Sequence, residues 1–267
     1  MKAFEQLDTW PGRSIAVGVL TADGRERFYG SRAREFAWAS VTKPATALVT
    51  LVAVEEGIVD LDSPAGPPGS SVRHLLAHAS GLPPEPGPPI AAPGTRRIYS
   101  TYGFDVLSEH VAANADMPFS RYFGEVLLPA GIEVELDGSA GADGRGTGEA
   151  LLALGNHLLR PRLVAPETIA EATEVAFPGL VGVLPGFGRM EPNDWGLGFE
   201  LRDLKQPHWT GSRNSPRTFG HFGQTGTFLW VDPDAGVACA CLTDAGFGDW
   251  AKDAWPRFSD AVLEELC

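Results

Sequence analysis

Strand-like alternation is concentrated at the two ends of this chain, and that distribution restricts the fold more than any other feature of the sequence. Near the start, SIAVGVL (14–20) and ERFYGS (26–31) flank ADGR, where Asp-Gly supplies the backbone of a hairpin turn. From about residue 195 the pattern returns in WGLGFEL, TFGHF, TFLWVD and GVACACL, with turn residues at Pro233-Asp234 and Gly236. Between them, apolar residues recur at helical spacing over 102–113, 117–128, 148–160 and 166–175, and a last amphipathic helix is predicted at 250–265. Strands from opposite termini with helices in the middle imply an antiparallel sheet built from both ends, with a helical insertion beside it. The fold class is therefore α/β in the α+β sense. We expect one domain over 1–267, with residues 1–60 and 190–267 forming the sheet subdomain and 61–189 a helical subdomain. The Pro/Gly-rich stretches SPAGPPGS (63–70) and LPPEPGPPIAAPG (82–94) read as surface loops, and GSAGADGRGTG (138–148) as a flexible crossing.

A long apolar helix is predicted after the first hairpin, and Pro44 fits its first turn. The chain has only four lysines, yet one of them, Lys43, stands three residues after Ser40 at the mouth of this helix. Residues three apart share a helix face, so a hydroxyl and an amine are brought together. The formal charge of -13 argues against nucleic acid and anionic membranes as partners, because both are bound by clustered Lys and Arg. No secretory segment or membrane span is legible, and Cys239, Cys241 and Cys267 form no disulfide framework, so a cytoplasmic protein with reduced thiols is expected. His74 and His78 lie four apart, a spacing used by zinc proteases, but the intervening glutamate is missing and no metal or other cofactor is expected.

Four segments stand in order: ASVTKP (39–44), VRHLLAHASGLP (72–83), PGTRRIYSTYGFDVLSEHV (93–111) and FGHFGQTGTFLWVDPDAG (219–236). Together they resemble the serine β-lactamase and penicillin-binding protein family, most closely its class C β-lactamase and esterase branch. The resemblance covers about residues 14–265 and implies a five-stranded antiparallel sheet flanked by helices, a helical subdomain, and an active site in the groove between them. It assigns the nucleophile to Ser40, its partner to Lys43, the motif tyrosine to Tyr99 and the sheet-edge motif to His221-Phe222-Gly223. By the same analogy the amides of Ser40 and Gln224 form an oxyanion hole. The residue types suit that chemistry: a serine hydroxyl needs a base, a buried lysine can serve because burial lowers its pKa, and a cation beside a tyrosine would lower the tyrosine's.

Two departures bear on substrate. Thr101 stands where the family has an asparagine two residues after the tyrosine, and Phe222 stands where penicillin-recognising members have a hydroxyl residue. Thr101 cannot offer an amide to a substrate carbonyl and the lysine together, and Phe222 lacks the hydroxyl that helps hold a substrate carboxylate, so the expected function is a serine hydrolase that cleaves esters of small acyl groups. The alternatives are β-lactamase or D-alanyl peptidase/amidase activity, or a catalytically weak binding module on the same fold. The Gly-x-Ser-x-Gly elbow of α/β-hydrolases is absent.

Overall fold

The structure is a computed structural model and describes residues 1–266. Its main sheet is antiparallel, in the order Glu26–Tyr29, Ile15–Thr21, Val237–Thr243, Thr227–Asp232, Phe219–Gly223 and Glu200–Leu201. Strands from the two termini pair directly, from Ile15 opposite Thr243 to Thr21 opposite Val237. Five strands were expected and six are present; the sixth is a two-residue edge, all that forms from WGLGFEL. Gly198, held at φ 87° with only 2.2 Å from an added Cβ to the Ala47 methyl, turns that run away from strand geometry.

Side chains alternate cleanly across the sheet. Phe228, Trp230, Cys239 and Cys241 face a cluster with Trp255, Phe258 and Val262, and Leu229, Val231, Ala238 and Ala240 face the opposite core. Trp255, Phe258 and Val262 belong to the closing helix Asp249–Leu266. On the other face the residues are small for a reason: Gly18 and Gly155 let the helix Gly148–Leu159 lie close, and a Cβ at Gly18 would sit 2.6 Å from Leu152. Helix α1 (Thr42–Glu55) is buried continuously from Thr42 to Ala53. A helix hydrophobic on all sides belongs inside a protein, and this one packs against two of the remaining helices.

Those helices are α2 (Val72–Leu76), α3 (Thr101–Ala115), α4 (Phe119–Leu127), α5 (Gly148–Leu159) and α6 (Pro166–Ala172), with Asp249–Leu266 as α7. They match the periodic segments of the sequence. Ser100 caps α3 by accepting from the Gly103 amide at 2.8 Å, and Thr147 caps α5 through Ala150 at 3.1 Å. The 138–148 segment is not a loose crossing. Gly144–Thr147 forms the central strand of a small sheet with Glu35–Ala37 and Val134–Leu136, and its bends carry backbone groups into the site. Among the described residues, no helix is long and apolar enough to cross a membrane.

Candidate active site

Ser40 lies in a 3-10 turn, Ala39–Val41, that runs straight into α1. The turn is clamped from two sides. From the sheet, Thr227 Oγ1 donates to the Trp38 carbonyl at 2.8 Å and Thr225 Oγ1 to that of Ala37 at 3.1 Å. From the small sheet, the Trp38 amide donates to Gly144 O at 2.8 Å, and the Gly144 amide donates to Thr42 Oγ1 at 3.0 Å. Gly223 has no side chain because a Cβ there would lie 2.8 Å from Trp38 O and 3.0 Å from the Ala39 methyl. Ala39 itself is left-handed, with φ 49°. Such a residue costs on the order of 1–3 kcal/mol and is held by its surroundings. The result is a half-buried Ser40 presented at the sheet edge.

Lys43, one turn further on, is fully buried. Its Nζ donates to Gly141 O at 2.7 Å and to Thr101 Oγ1 at 3.2 Å, and it lies 4.6 Å from the centre of the Tyr99 ring. No carboxylate pairs with it among the described residues; Asp105 exerts only a longer-range pull. Loss of hydration without a counter-charge lowers its pKa to about 7. A lysine in this state supplies a neutral amine near physiological pH.

The Tyr99 hydroxyl lies beside those of Ser40 and Thr101, both of which favour its ionised form by hydrogen bonding. Burial pushes its pKa above the ordinary value for tyrosine, and these two hydrogen bonds offset only part of that rise. The expected lowering by Lys43 is therefore corrected: Nζ faces the ring and not the phenolic oxygen, and desolvation dominates. Thr101 does what a shorter side chain can do in place of asparagine. It accepts from Lys43 Nζ at 3.2 Å and lies beside the Tyr99 hydroxyl, so Ser40, Tyr99, Thr101 and Lys43 stand in one row of polar groups.

His221 sits on the strand Phe219–Gly223 with its ring 5.6 Å from Tyr99 and 5.5 Å from Trp195. Burial, then the nearby Lys43, lowers its pKa to about 3. Its Nδ1 lies 2.7 Å from Phe222 O, a contact only an N–H can make, so Nδ1 carries the proton and Nε2 is a bare acceptor. Nε2 is buried and has no hydrogen-bond partner among the described residues. Phe222 points the other way, into Trp209, Trp255, Phe187 and Phe247. The site thus contains a neutral imidazole and no hydroxyl at the motif's second position.

Ser40, Tyr99, Trp195, Glu200, His221, Gln224 and one edge of Phe222 surround a cavity of about 40 Å³ closed by Leu184 and Pro185. It is scarcely larger than the ~30 Å³ a water occupies in the liquid. Glu200 was read in the sequence only as part of a strand. It proves to be a buried anion whose carboxylate pairs with Lys205, His208 and Trp209, with His208 Nε2 and Trp209 Nε1 each at 2.8 Å. Burial alone would raise its pKa, but its contacts with His208 and Lys205 outweigh that and lower it to about 2. His78, Gly141 and Trp195 were likewise missed as parts of the site, and only the family-like segment around His78 carried a signal. His78 is left-handed (φ 54°) beyond the end of α2; its Nδ1 accepts from the Ser100 amide at 3.1 Å and its ring stacks 4.8 Å from Tyr99. His74 instead contacts Ser71 Oγ at 2.9 Å and Phe177. The two histidines are not on one helix face and converge on nothing.

Comparison with known proteins adds to this geometry. The family described as Beta-lactamase matches residues 13–133 and 126–262. A crystal structure described as a beta-lactamase from Mycobacterium bovis is 53% identical, covers 99% of each chain and superposes with a TM-score of 0.97. At the level of the fold alone, the chain is similar to EstCE1, described as a hydrolase with promiscuous acyltransferase activity (18% identity, 98% and 96% coverage, TM-score 0.78). It is also similar to simvastatin synthase from Aspergillus terreus (17% identity, 99% and 97% coverage, TM-score 0.78). No curated protein matches the chain.

Proposed function

Because the chain belongs to the β-lactamase family, we propose that it is a serine hydrolase working through an acyl-enzyme on Ser40, with esters of small acyl groups as substrates. The observation that carries this reading is the buried Lys43, with a pKa of about 7, in one row with Thr101, Tyr99 and Ser40. Neutral Lys43 accepts a proton by way of that row as Ser40 Oγ attacks the ester carbonyl. Tyr99, which stays protonated, returns a proton to the leaving alkoxide as the ester C–O bond breaks. The Ser40 and Gln224 amides receive the developing oxyanion, aided by the helix N-terminus. Water then attacks the acyl-enzyme, its proton follows the same route, and the carboxylic acid leaves with Ser40 regenerated. Neutral His221 lines the cavity and offers Nε2 as an acceptor to substrate or water.

The cavity of about 40 Å³ supports a small acyl group, and Phe222, turned into an aromatic cluster, supports esters over carboxylate-bearing β-lactams. The second reading, β-lactam hydrolysis, is favoured by the description of the 53% identical relative. The buried thiols Cys239 and Cys241 support a cytoplasmic setting. A fluorophosphonate probe followed by intact mass and peptide mapping tests the nucleophile: labelling is expected on Ser40 and absent from Ser40→Ala. Undiminished labelling of Ser40→Ala would overturn the assignment, and a cephalosporin cleaved as efficiently as p-nitrophenyl acetate would favour the second reading.

A further inference from the structure

The small cavity opens beside a much larger groove that the reaction above does not use. Tyr99 and Pro185 line both, so the groove adjoins the cavity that Ser40 lines. It holds about 440 Å³ and runs between the loop around Pro84 and Ile90, the segment 96–99, and the hairpin of Gly182–Leu184 and Gly188–Met190. Its walls carry two of the large apolar side chains that the fold leaves exposed, Ile90 at 59% and Val183 at 57%. Exposed apolar surface joined to a site is a binding feature in need of an apolar ligand.

The charge of the groove is opposite to that of the protein. Arg96, Arg97 and Arg189 line it and no acidic residue does, in a chain of net charge -13. Arg97 is buried and spends its guanidinium on the carbonyls of Ala77, Ala176, Phe177 and Asn193, so its charge is fixed under the groove with no ion pair among the described residues and only a longer-range pull from Asp194. Arg189 is paired with Glu191 at 2.9 Å. Arg96 is exposed and makes no ion pair among the described residues. An arginine free to bind a carboxylate in a fork, at the rim of an apolar trough, selects a ligand with a hydrocarbon stem and an anionic end.

We propose that the groove binds one arm of the substrate, an elongated hydrocarbon stem ending in a carboxylate held by Arg96, while the small acyl cavity takes the other side of the scissile bond. The catalytic half of this proposal rests on the Ser40 reading; the binding half does not. Two matched pairs of esters test the catalytic half: 8-acetoxyoctanoate against 8-acetoxyoctanamide, and monomethyl suberate against its terminal amide. In the acetoxy pair, whose acetyl group suits the small cavity and whose long alcohol arm suits the groove, the carboxylate is expected to have at least a ten-fold higher kcat/KM than the amide. The suberate pair, whose long arm is the acyl group, is expected to show no such preference. Arg96→Gln is expected to bring the acetoxy ratio to within two-fold of unity. Equal kcat/KM within the acetoxy pair, or a preference that survives Arg96→Gln, would overturn the proposal.

Binding is read separately in Ser40→Ala by titration calorimetry with octanoate and octanamide. Octanoate is expected to bind at least ten-fold more tightly, with the difference lost on adding Arg96→Gln. If that preference appears while no ester is hydrolysed, the groove stands and the hydrolase reading fails. If esters are hydrolysed through Ser40 but octanoate and octanamide bind alike, the hydrolase reading stands and the groove proposal fails.

Discussion

Exchanging Lys43 for methionine keeps an unbranched apolar stem and removes the amine, which makes the cost of burying that amine measurable. The folded protein holds the group's pKa at about 7, against 10.5 for an ordinary lysine. Between those values the unfolded chain carries a proton that the folded chain lacks. Stability therefore rises with pH across this window and is lowest below pH 7. Each pH unit is worth about 1.36 kcal/mol per proton, so the full separation corresponds to ~5 kcal/mol of destabilisation at acid pH. Lys43→Met removes that cost and leaves Gly141 O without its donor, a loss of ~1–3 kcal/mol. At about pH 6 the variant is expected to be more stable than the wild type by ~2–4 kcal/mol. By about pH 9 the wild type should have recovered about 3 kcal/mol of that difference. Urea unfolding of both proteins at several pH values reads the difference directly, because other titrating groups cancel. A difference that stays constant to within ~0.5 kcal/mol from about pH 6 to pH 9 would refute a lysine desolvated in the folded state. In the same variant kcat/KM on a small ester should fall by about 10² to 10⁴, the usual worth of general-base help.

In the wild type, kcat/KM should rise with pH through about 7 to a plateau, as Lys43 loses its proton. Because His221 titrates at about 3, the limb should keep its position in His221→Asn; its disappearance there would make His221 the base. Tyr99→Phe should cost about 10² to 10⁴ in kcat/KM with little change in melting temperature, measured by ester assay and calorimetry, since only the hydroxyl is removed. Glu200→Leu, which strips the buried Lys205 of its carboxylate, should destabilise the protein by about 3–5 kcal/mol in urea unfolding. Phe222→Ala should cost a similar ~3–5 kcal/mol by opening a hole among Trp209, Trp255 and Phe247.

Much of this protein was legible along the chain because the relevant physics is local. Alternation in VACACL and TFLWVD marked strands, 3.6-residue spacing marked the helices, and Asp23-Gly24 marked the hairpin. The spacing of Ser40 and Lys43 on one helical turn needed no tertiary information. What the linear sequence could not supply was every property set by residues far apart in it. Gly141 lies 98 residues from Lys43 and accepts its hydrogen bond, and it stood in a glycine-rich run with the look of a plain connection. The tyrosine was expected to be acidified by a nearby cation, but whether Nζ meets the ring or the hydroxyl depends on how α1 and α3 pack, and packing chose the ring. The arginine-lined groove likewise assembles from segments that carry no shared periodicity, and the Glu200 network, although its members lie close in sequence, is closed by an irregular loop that periodicity does not report. Periodicity reports which face of an element is buried; desolvation and charge depend on what covers that face, and that is decided only when the chain folds.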